Sequence, residues 1–285
     1  MTRLYLPMPG NEIIAGALAE RANADLGAIE TRRFPDGEAY VRLLSVVKDR
    51  EVEFVCTLAR PDEQILSLIF AAATARELGA ARVNLIAPYL AYMRQDKRFK
   101  EGEAISSAHF ARLLSQSFDG LVTVDPHLHR RADLGEIFSI ATRVEHAAPL
   151  LADWIKDNVR EPLVVGPDEE SEQWVAAVAG RAGAPHIVSK KNRRGDRDVS
   201  IDLPDLSALR GRRAVLVDDI VSSGRTMIET AGKLATAGMA KPVCVAVHAL
   251  FADQSYAELL SLCERVVSTD TVPHASNAIS VAALL

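Results

Sequence analysis

Asp218 and Asp219 close the apolar run AVLVDD, and Ser222, Ser223, Gly224, Arg225 and Thr226 follow almost at once in AVLVDDIVSSGRTM. Small hydroxyl residues and a glycine ahead of a helical stretch, TMIETAGKLATAG, make a turn whose unpaired backbone N–H groups suit a phosphate. Gly224 would let the backbone approach that anion closely, and the hydroxyls add neutral donors. Asp218 and Asp219 would repel the same phosphate, so they must serve another part of the ligand; neighbouring hydroxyls, which donate to carboxylates, fit them. A phosphate at one end and a diol at the other describe a pentose 5-phosphate. A Walker loop is excluded because no Gly-Lys-Ser/Thr stands here. A dinucleotide fingerprint is excluded because its acid lies about 20 residues after the glycines instead of before them.

These residues need strands and helices to hold them, and the chain supplies both. Apolar runs begin at Leu85 (LIAPY), Leu121 (LVTVD), Leu163 (LVVGPD), Ala214 (AVLVDD) and Cys244 (CVAVHAL), as buried strands of a mostly parallel sheet would. Between them, residues 61–78, 106–118 and 171–182 carry apolar positions at three- and four-residue spacing, with Asp62, Ser106 and Ser171 as expected N-caps. Strand alternating with helix predicts an α/β fold. The pattern runs once before about residue 145 and again after it, through TRVEHAAPLLADWI, which predicts two similar halves, 1–146 and 147–285. The last ~12 residues are expected to pack back on the first half. In such sheets ligands collect outside the carboxyl ends of the strands, where each motif here falls.

With 285 residues, 48% hydrophobic and 25% charged, the chain has material for a substantial core. A net charge of -5 and a pI near 5.8 argue against broad nucleic-acid or anionic-membrane binding, so a phosphate site must be a local cluster of cations. No apolar stretch is long enough for a membrane span, and MTRLYLPMPGNEII lacks a signal-peptide core; the expected location is cytoplasmic. Cys56, Cys244 and Cys263 lie far apart among apolar neighbours, as buried reduced thiols do.

The strand, paired acids, small-hydroxyl loop and Thr226 together resemble the phosphoribosyl-pyrophosphate motif of type I phosphoribosyltransferases. RRFPDGEAYVRL (32–43), PYLAYMRQDKRFKEGEAISS (88–107), VTVDPHLHR (122–130), VVGPDEES (164–171) and STDTVPH (268–274) occur in the order seen in ribose-phosphate pyrophosphokinases. KEGE after RQDKRF, and GPDEESEQW where long members have a glycine pair, resemble the shorter archaeal-type members most. Simple phosphoribosyltransferases share the 218–226 loop but lack the first half. The resemblance implies two phosphoribosyltransferase-like domains and transfer of the β,γ-diphosphoryl group of ATP to ribose 5-phosphate. A nucleobase phosphoribosyltransferase and a non-catalytic regulatory homologue are the rival readings.

By that resemblance Phe34 stacks on adenine, Asp36 and Glu38 engage its exocyclic amine, and the site is shared with a neighbouring subunit of a homo-oligomer. On its residues alone FPDGE is also a hairpin turn, with Asp36-Gly37 suited to two positive φ angles. The cation-rich RQDKRFK reads alone as a solvated charge run. The resemblance assigns Arg94 and Gln95 to ATP, the guanidinium fork of Arg94 pairing with phosphate oxygens, and has Asp96 steady that geometry. It also assigns Mg²⁺ to His127, with Asp125 in support, and to Asp168 a second cation or the ribose hydroxyls; His129 reads as a helper or a surface residue. Glu169 and Glu170 replace a glycine-rich loop and carry no role over, and Ser171 doubles as a cap. In SKKNRRGDRDVSI (189–201), Lys191 and Arg193 match the family's catalytic Lys-x-Arg on a closing loop. Lys190 and Arg194 offer another register, and a plain hairpin tip is the alternative.

Overall fold

The computed structural model describes residues 2–128, 130–168, 171–193 and 199–285; side chains are described throughout these except at 190–193 and 199–201. His129, Glu169, Glu170 and Arg194 therefore lie outside the described residues. The chain divides into two compact units, one of Met1–Glu145 with Ala282–Leu285 and one of His146–Val281. Arg21 donates to the Ala282 carbonyl and Arg143 Nη2 to the Leu285 carbonyl at 2.7 Å, which ties the tail into the first unit.

The first unit is built on a six-stranded parallel sheet. Its strands are β1 (Arg3–Pro7), β2 (Asp25–Leu26), β5 (Glu51–Val55), β6 (Arg82–Ala87), β7 (Gly120–Val124) and β8 (Ala141–Glu145), in the order β2-β1-β5-β6-β7-β8. Helices α1 (Glu12–Arg21), α2 (Pro61–Glu77) and α3 (Ser106–Ser117) connect them. The second unit repeats the plan with β9 (Pro162–Gly166), β10 (His186–Val188), β13 (Arg213–Val221), β14 (Val243–Ala249), β15 (Arg265–Thr269) and β16 (Asn277–Ile279), in the order β10-β9-β13-β14-β15-β16. Its helices are α4 (Ala148–Asn158), α5 (Glu172–Ala182), α6 (Arg225–Thr236) and α7 (Ser255–Leu262).

Each unit also sends out an antiparallel hairpin between the second and third strands of its sheet: β3 (Ile29–Arg33) with β4 (Ala39–Leu43), and β11 (Lys190–Arg193) with β12 (Val199–Asp202). The FPDGE and KKNR segments, which share no sequence, thus occupy the same place in two copies of one topology.

Helices on both faces of a parallel sheet leave its central strands no solvent face, which is why they read as continuous apolar runs. Ala214, Val215, Leu216 and Val217 of β13 are at most 1% exposed, and Ala214 and Leu216 pack with Leu163, Val165, Met227, Leu234, Cys244 and Leu259. All three cysteines are buried free thiols, and burial pushes Cys56 up to about 12 and Cys263 to about 11. Such thiols are inert at neutral pH. Among the described residues no helix is long and apolar enough to cross a membrane.

Three local expectations are corrected. Asp62, Ser106 and Ser171 do not cap their helices through side chains: Arg60 and Ile105 hold the cap positions of α2 and α3, and Ser171, at the cap of α5, turns its hydroxyl back to the Asp168 carbonyl at 2.7 Å. Asp36 does not share a positive φ with Gly37. Pro35 takes the turn position its fixed φ suits, the Gly37 N–H closes onto the Phe34 carbonyl at 2.8 Å, and Gly37 alone is left-handed at φ 93°. Strand β13 does not stop at its acids but runs on through Val221, paired by Ile220 to His248 and by Val221 to Ala249.

Gly166, at the end of β9, is required by close approach. A Cβ there would lie 2.8 Å from Ser171 Oγ, 2.8 Å from Val175 Cγ2 and 2.9 Å from Val188 Cγ1. Gly166→Ala is expected to destabilise the protein by about 1–3 kcal/mol, as overpacking does, read as a lowered urea midpoint.

Candidate active site

Strand order reverses in the second unit between β9 and β13, the position at which open α/β sheets leave a crevice. Asp168 follows β9, and Asp218 and Asp219 are the sixth and seventh of the nine residues of β13. Each carboxylate is braced by a backbone amide. Asp218 Oδ1 accepts from the Asp219 N–H at 3.0 Å, Asp219 Oδ1 from Ile220 at 2.8 Å, and Asp168 Oδ1 from Ser171 at 3.2 Å.

Asp218 keeps part of its surface, yet protein packed round its carboxyl raises its pKa well above the ordinary carboxylate value, with Asp219 and then Asp168 adding like-charge repulsion. Negative potential gathered in this way is relieved by a cation or by hydroxyl donors.

Beyond Val221 the chain turns through Ser222, Ser223 and Gly224 into α6. Gly224 is the cap at φ 65°, no side chain caps the helix, and its first turn holds no acid. The amides at this end have no intrahelical acceptor and carry the positive pole of the helix dipole. Ser223 and Arg225 are exposed, while Ser222 and Thr226 are half-buried. A Cβ on Gly224 would stand 3.4 Å from side-chain atoms of Ile228, Leu259 and Ser255. The left-handed φ of 65° is by itself a reason for glycine here. The loop is held from behind: the Ser222 carbonyl accepts from Ser255 Oγ at 2.9 Å and from the Ala252 N–H at 3.1 Å. Sequence reading passed over Ser255, because its partner lies 33 residues away and no local motif marks it.

Further along the same sheet end, His248 is fully buried, with Nδ1 2.9 Å from Thr271 Oγ1. Thr269 and Thr271 both donate to the Val247 carbonyl, at 2.7 and 3.0 Å. STDTVPH is therefore a hydroxyl network bracing β14 beside the acid strand. His274 is packed against Phe251 and Tyr256 at 4.8 and 4.5 Å, and burial lowers its pKa.

In the first unit the equivalent strand ends, of β1 and β5, are joined by a side chain. Buried Asn11 accepts from the Thr57 N–H at 2.8 Å and donates to the Met8 and Pro9 carbonyls, linking the two strand ends. The remaining motifs of that unit lie elsewhere. Phe34, 39% exposed, sits in the β3–β4 turn, where the Arg32 guanidinium covers its ring at 4.5 Å and that of Tyr40 at 4.1 Å. Asp36 Oδ1 accepts from the Glu38 N–H at 3.1 Å, so it also shapes its own turn. Arg94 is exposed and Gln95 half-buried after β6. The Asp96 carboxylate, its side chain 3% exposed, accepts from Arg130 Nη1 at 3.0 and 3.2 Å, and Arg131 donates to the Asp96 carbonyl at 3.3 Å. RQDKRF and DPHLHRR are thereby clasped together, and the clasp arginines, Arg130 and Arg131, went unnoticed because their charges look like ordinary surface. Asp125 is buried with a positive φ of 34° at the end of β7, and His127 is half-buried after it.

Among the described residues no three acidic, His or Cys side chains form a ready-made ion cage. Mg²⁺ needs none, since it keeps waters and takes phosphate oxygens alongside one or two carboxylates. The mutual repulsion at Asp168, Asp218 and Asp219 is a donor set that such an ion fits.

A sequence profile of the N-terminal domain of ribose phosphate pyrophosphokinase matches residues 6–117, and a phosphoribosyl transferase domain profile matches 133–284. The ribose-phosphate pyrophosphokinase of Methanopyrus kandleri is 36% identical over 93% of this chain and 91% of its own. The chain belongs to the ribose-phosphate pyrophosphokinase family. The enzyme of that name from Methanothermobacter thermautotrophicus is 34% identical over 95% of this chain and 94% of its own. The fold matches that of phosphoribosylpyrophosphate synthetase from Mycobacterium smegmatis, with a TM-score of 0.85 and 21% identity over 99% of this chain and 96% of that one.

Because folding raises the Asp218 pKa, the folded chain holds that proton more tightly than the unfolded chain. Stability from this group is therefore full below the ordinary carboxylate pKa and falls as pH rises through the raised folded value. Asp218→Asn removes the charge, and its amide oxygen can still accept from Asp219. In the ligand-free protein above that range it is expected to raise the melting midpoint by about 2–4 °C, the response of a domain this size to ~1 kcal/mol, with little difference between the two proteins at pH 4.

Proposed function

We propose that this chain is a ribose-phosphate diphosphokinase: ATP and ribose 5-phosphate give phosphoribosyl pyrophosphate and AMP. The observation that carries the reading is the arrangement late in β13, where two amide-braced carboxylates are followed within a few residues by a helix N-terminus that no side chain caps, in a chain of this family. The 5-phosphate is assigned to the amides and hydroxyls of Ser222, Ser223, Gly224, Arg225 and Thr226, and the ring hydroxyls to Asp218 and Asp219. ATP is assigned to Phe34, Asp36, Glu38, Arg94 and Gln95, with Asp96, held by Arg130, fixing the Arg94 loop.

The 1-hydroxyl oxygen attacks the β-phosphorus in line, and the bond from that phosphorus to the oxygen bridging it to the α-phosphate breaks as AMP leaves. No covalent enzyme intermediate is required. Transfer of this kind is governed by positioning and by neutralising charge on the equatorial and leaving oxygens. Lys191 and Arg193, whose backbones pair with Ile201 and Val199, are assigned that role together with Arg94. Mg²⁺, when bound, would neutralise the phosphate chain; in the first unit His127, with Asp125 behind it, is assigned to it, and in the second unit Asp168 is assigned to a second cation or to the ribose hydroxyls. A cytoplasmic location goes with these soluble substrates.

The decisive experiment is incubation with ATP, Mg²⁺ and ribose 5-phosphate, with products identified by mass. AMP and phosphoribosyl pyrophosphate in equal amounts are expected; absence of AMP overturns the reading. Lys191→Ala is expected to lower kcat by about 10³, roughly 4 kcal/mol of transition-state stabilisation, with ribose 5-phosphate binding nearly unchanged. Unaltered turnover would move the role to Lys190 or off the hairpin.

A homo-oligomer sharing its ATP site between subunits is part of the proposal. It is supported by the exposed apolar side chains of the first unit: Leu44 and Val46 beyond β4, and Leu66 and Phe70 one turn apart on α2. Sedimentation should give a mass of at least twice 30.9 kDa, and Phe70→Glu should lower it.

A further inference from the structure

The opposite end of the second sheet holds a cavity of about 470 Å³, lined where the chain enters β9, β13, β14 and β15. Five arginines face it, Arg160, Arg210, Arg212, Arg213 and Arg265, against two acids, Glu161 and Glu264. In a chain of net charge -5 this is a local excess of cations of the kind a phosphate site requires.

Three of the arginines are held in place. Arg213 pairs with Glu264 at 3.0 Å and donates to the Lys241 carbonyl at 2.8 Å. Arg265 donates to the Asn158 carbonyl at 3.1 Å and lies over Trp154 at 5.1 Å, while Arg212 reaches the Pro162 carbonyl at 3.4 Å. Carbonyl partners orient a guanidinium without cancelling its charge. Arg160 and Arg210 are exposed and have no acid within ion-pair distance among the described residues. Gly211, between Arg210 and Arg212, has nothing within 4 Å of where a Cβ would stand, so the backbone there is open.

The fold does not need this charge. At the same end of the first sheet, Arg3 is met by Glu51 and Glu53 at 3.4 and 3.5 Å, and Glu53 accepts from Asn84 at 3.1 Å. One topology thus carries an arginine matched by acids at this end of one unit and five arginines against two acids at the same end of the other.

We propose that the arginine cavity at the amino ends of β9, β13, β14 and β15 is a second anion site, distinct from the carboxyl-end crevice, that takes a small polyphosphorylated molecule. Its volume falls in the range of small-ligand sites and exceeds what one phosphate fills, and planar guanidinium forks pair bidentately with phosphate oxygens. The site lies five residues along β13 from Asp218, on the far side of the sheet's core.

The test is calorimetric titration of the full chain with inorganic tripolyphosphate at low salt, repeated on the double variant Arg160→Ala, Arg210→Ala. Both positions are exposed and outside strands and helices, and an unchanged melting midpoint verifies the fold. Two binding events are expected in the unaltered chain, one of them weakened at least tenfold in the variant and strengthened by lower salt. The readout does not depend on turnover, so it stands apart from the fate of the proposed reaction. A single event that the variant leaves intact overturns the site. So does an unaltered chain that ignores tripolyphosphate but binds a single-stranded oligonucleotide through these arginines, since the surface would then serve a polymer.

Discussion

Two adjacent carboxylates inside a strand impose the constraint from which the rest of the second unit follows. Successive side chains of a strand point to opposite faces, so Asp218 and Asp219 each set a carboxylate against one face of the sheet, where an apolar layer would leave it unpaired. Each takes a hydrogen bond from the next backbone amide, and the Asp218 carboxyl is still pushed toward its protonated form by burial, by Asp219 and by Asp168. The folded, ligand-free chain retains that tension because the four apolar residues before it, Ala214 to Val217, anchor the strand in the core. Stability given up there is what a binding site for hydroxyls and cations requires.

The repeated topology shows how one architecture serves two chemistries. Both sheets reverse strand order at the same point and both send out a hairpin after their second strand. In the second unit the reversal point holds half-buried acids and a helix N-terminus that no side chain caps. In the first, Asn11 spends its amide group joining Met8, Pro9 and Thr57, and the polar motifs move to the hairpin turn and to the clasp between Asp96 and Arg130. Where a side chain satisfies the strand-end amides, no ligand is needed; where glycine and serine leave them open, one is invited.

Much of this was legible in order along the chain. Continuous apolar runs announced parallel strands because burial on both faces removes alternation, and the acids followed by small hydroxyls announced a strand-to-helix phosphate turn because that chemistry is local. What misled were short-range inferences with several physical solutions. A serine or aspartate before a helix can cap it or bond elsewhere, as Ser171 does with the Asp168 carbonyl. Asp-Gly in a turn can place both residues or only the glycine at positive φ, and Pro35 settles it in favour of Gly37 alone. Ser255 behind the phosphate loop and Arg130 on Asp96 had no sequence signal, since each acts on a partner more than 30 residues away.

The amino-acid order alone determined the alternation of strand and helix, the chemistry offered at each strand end and the family to which the motifs point, because these depend on residue type and on spacing within a few turns of chain. Tertiary structure decided which of those groups are braced, repelled or neutralised: that the Asp218 carboxyl is packed round by protein and feels the charges of Asp219 and Asp168, that Gly224 takes a left-handed φ, and that arginines scattered from 160 to 265 line one cavity. Electrostatic energy depends on distance through space and on the water excluded between charges, and neither is fixed until the strands have been ordered in their sheet.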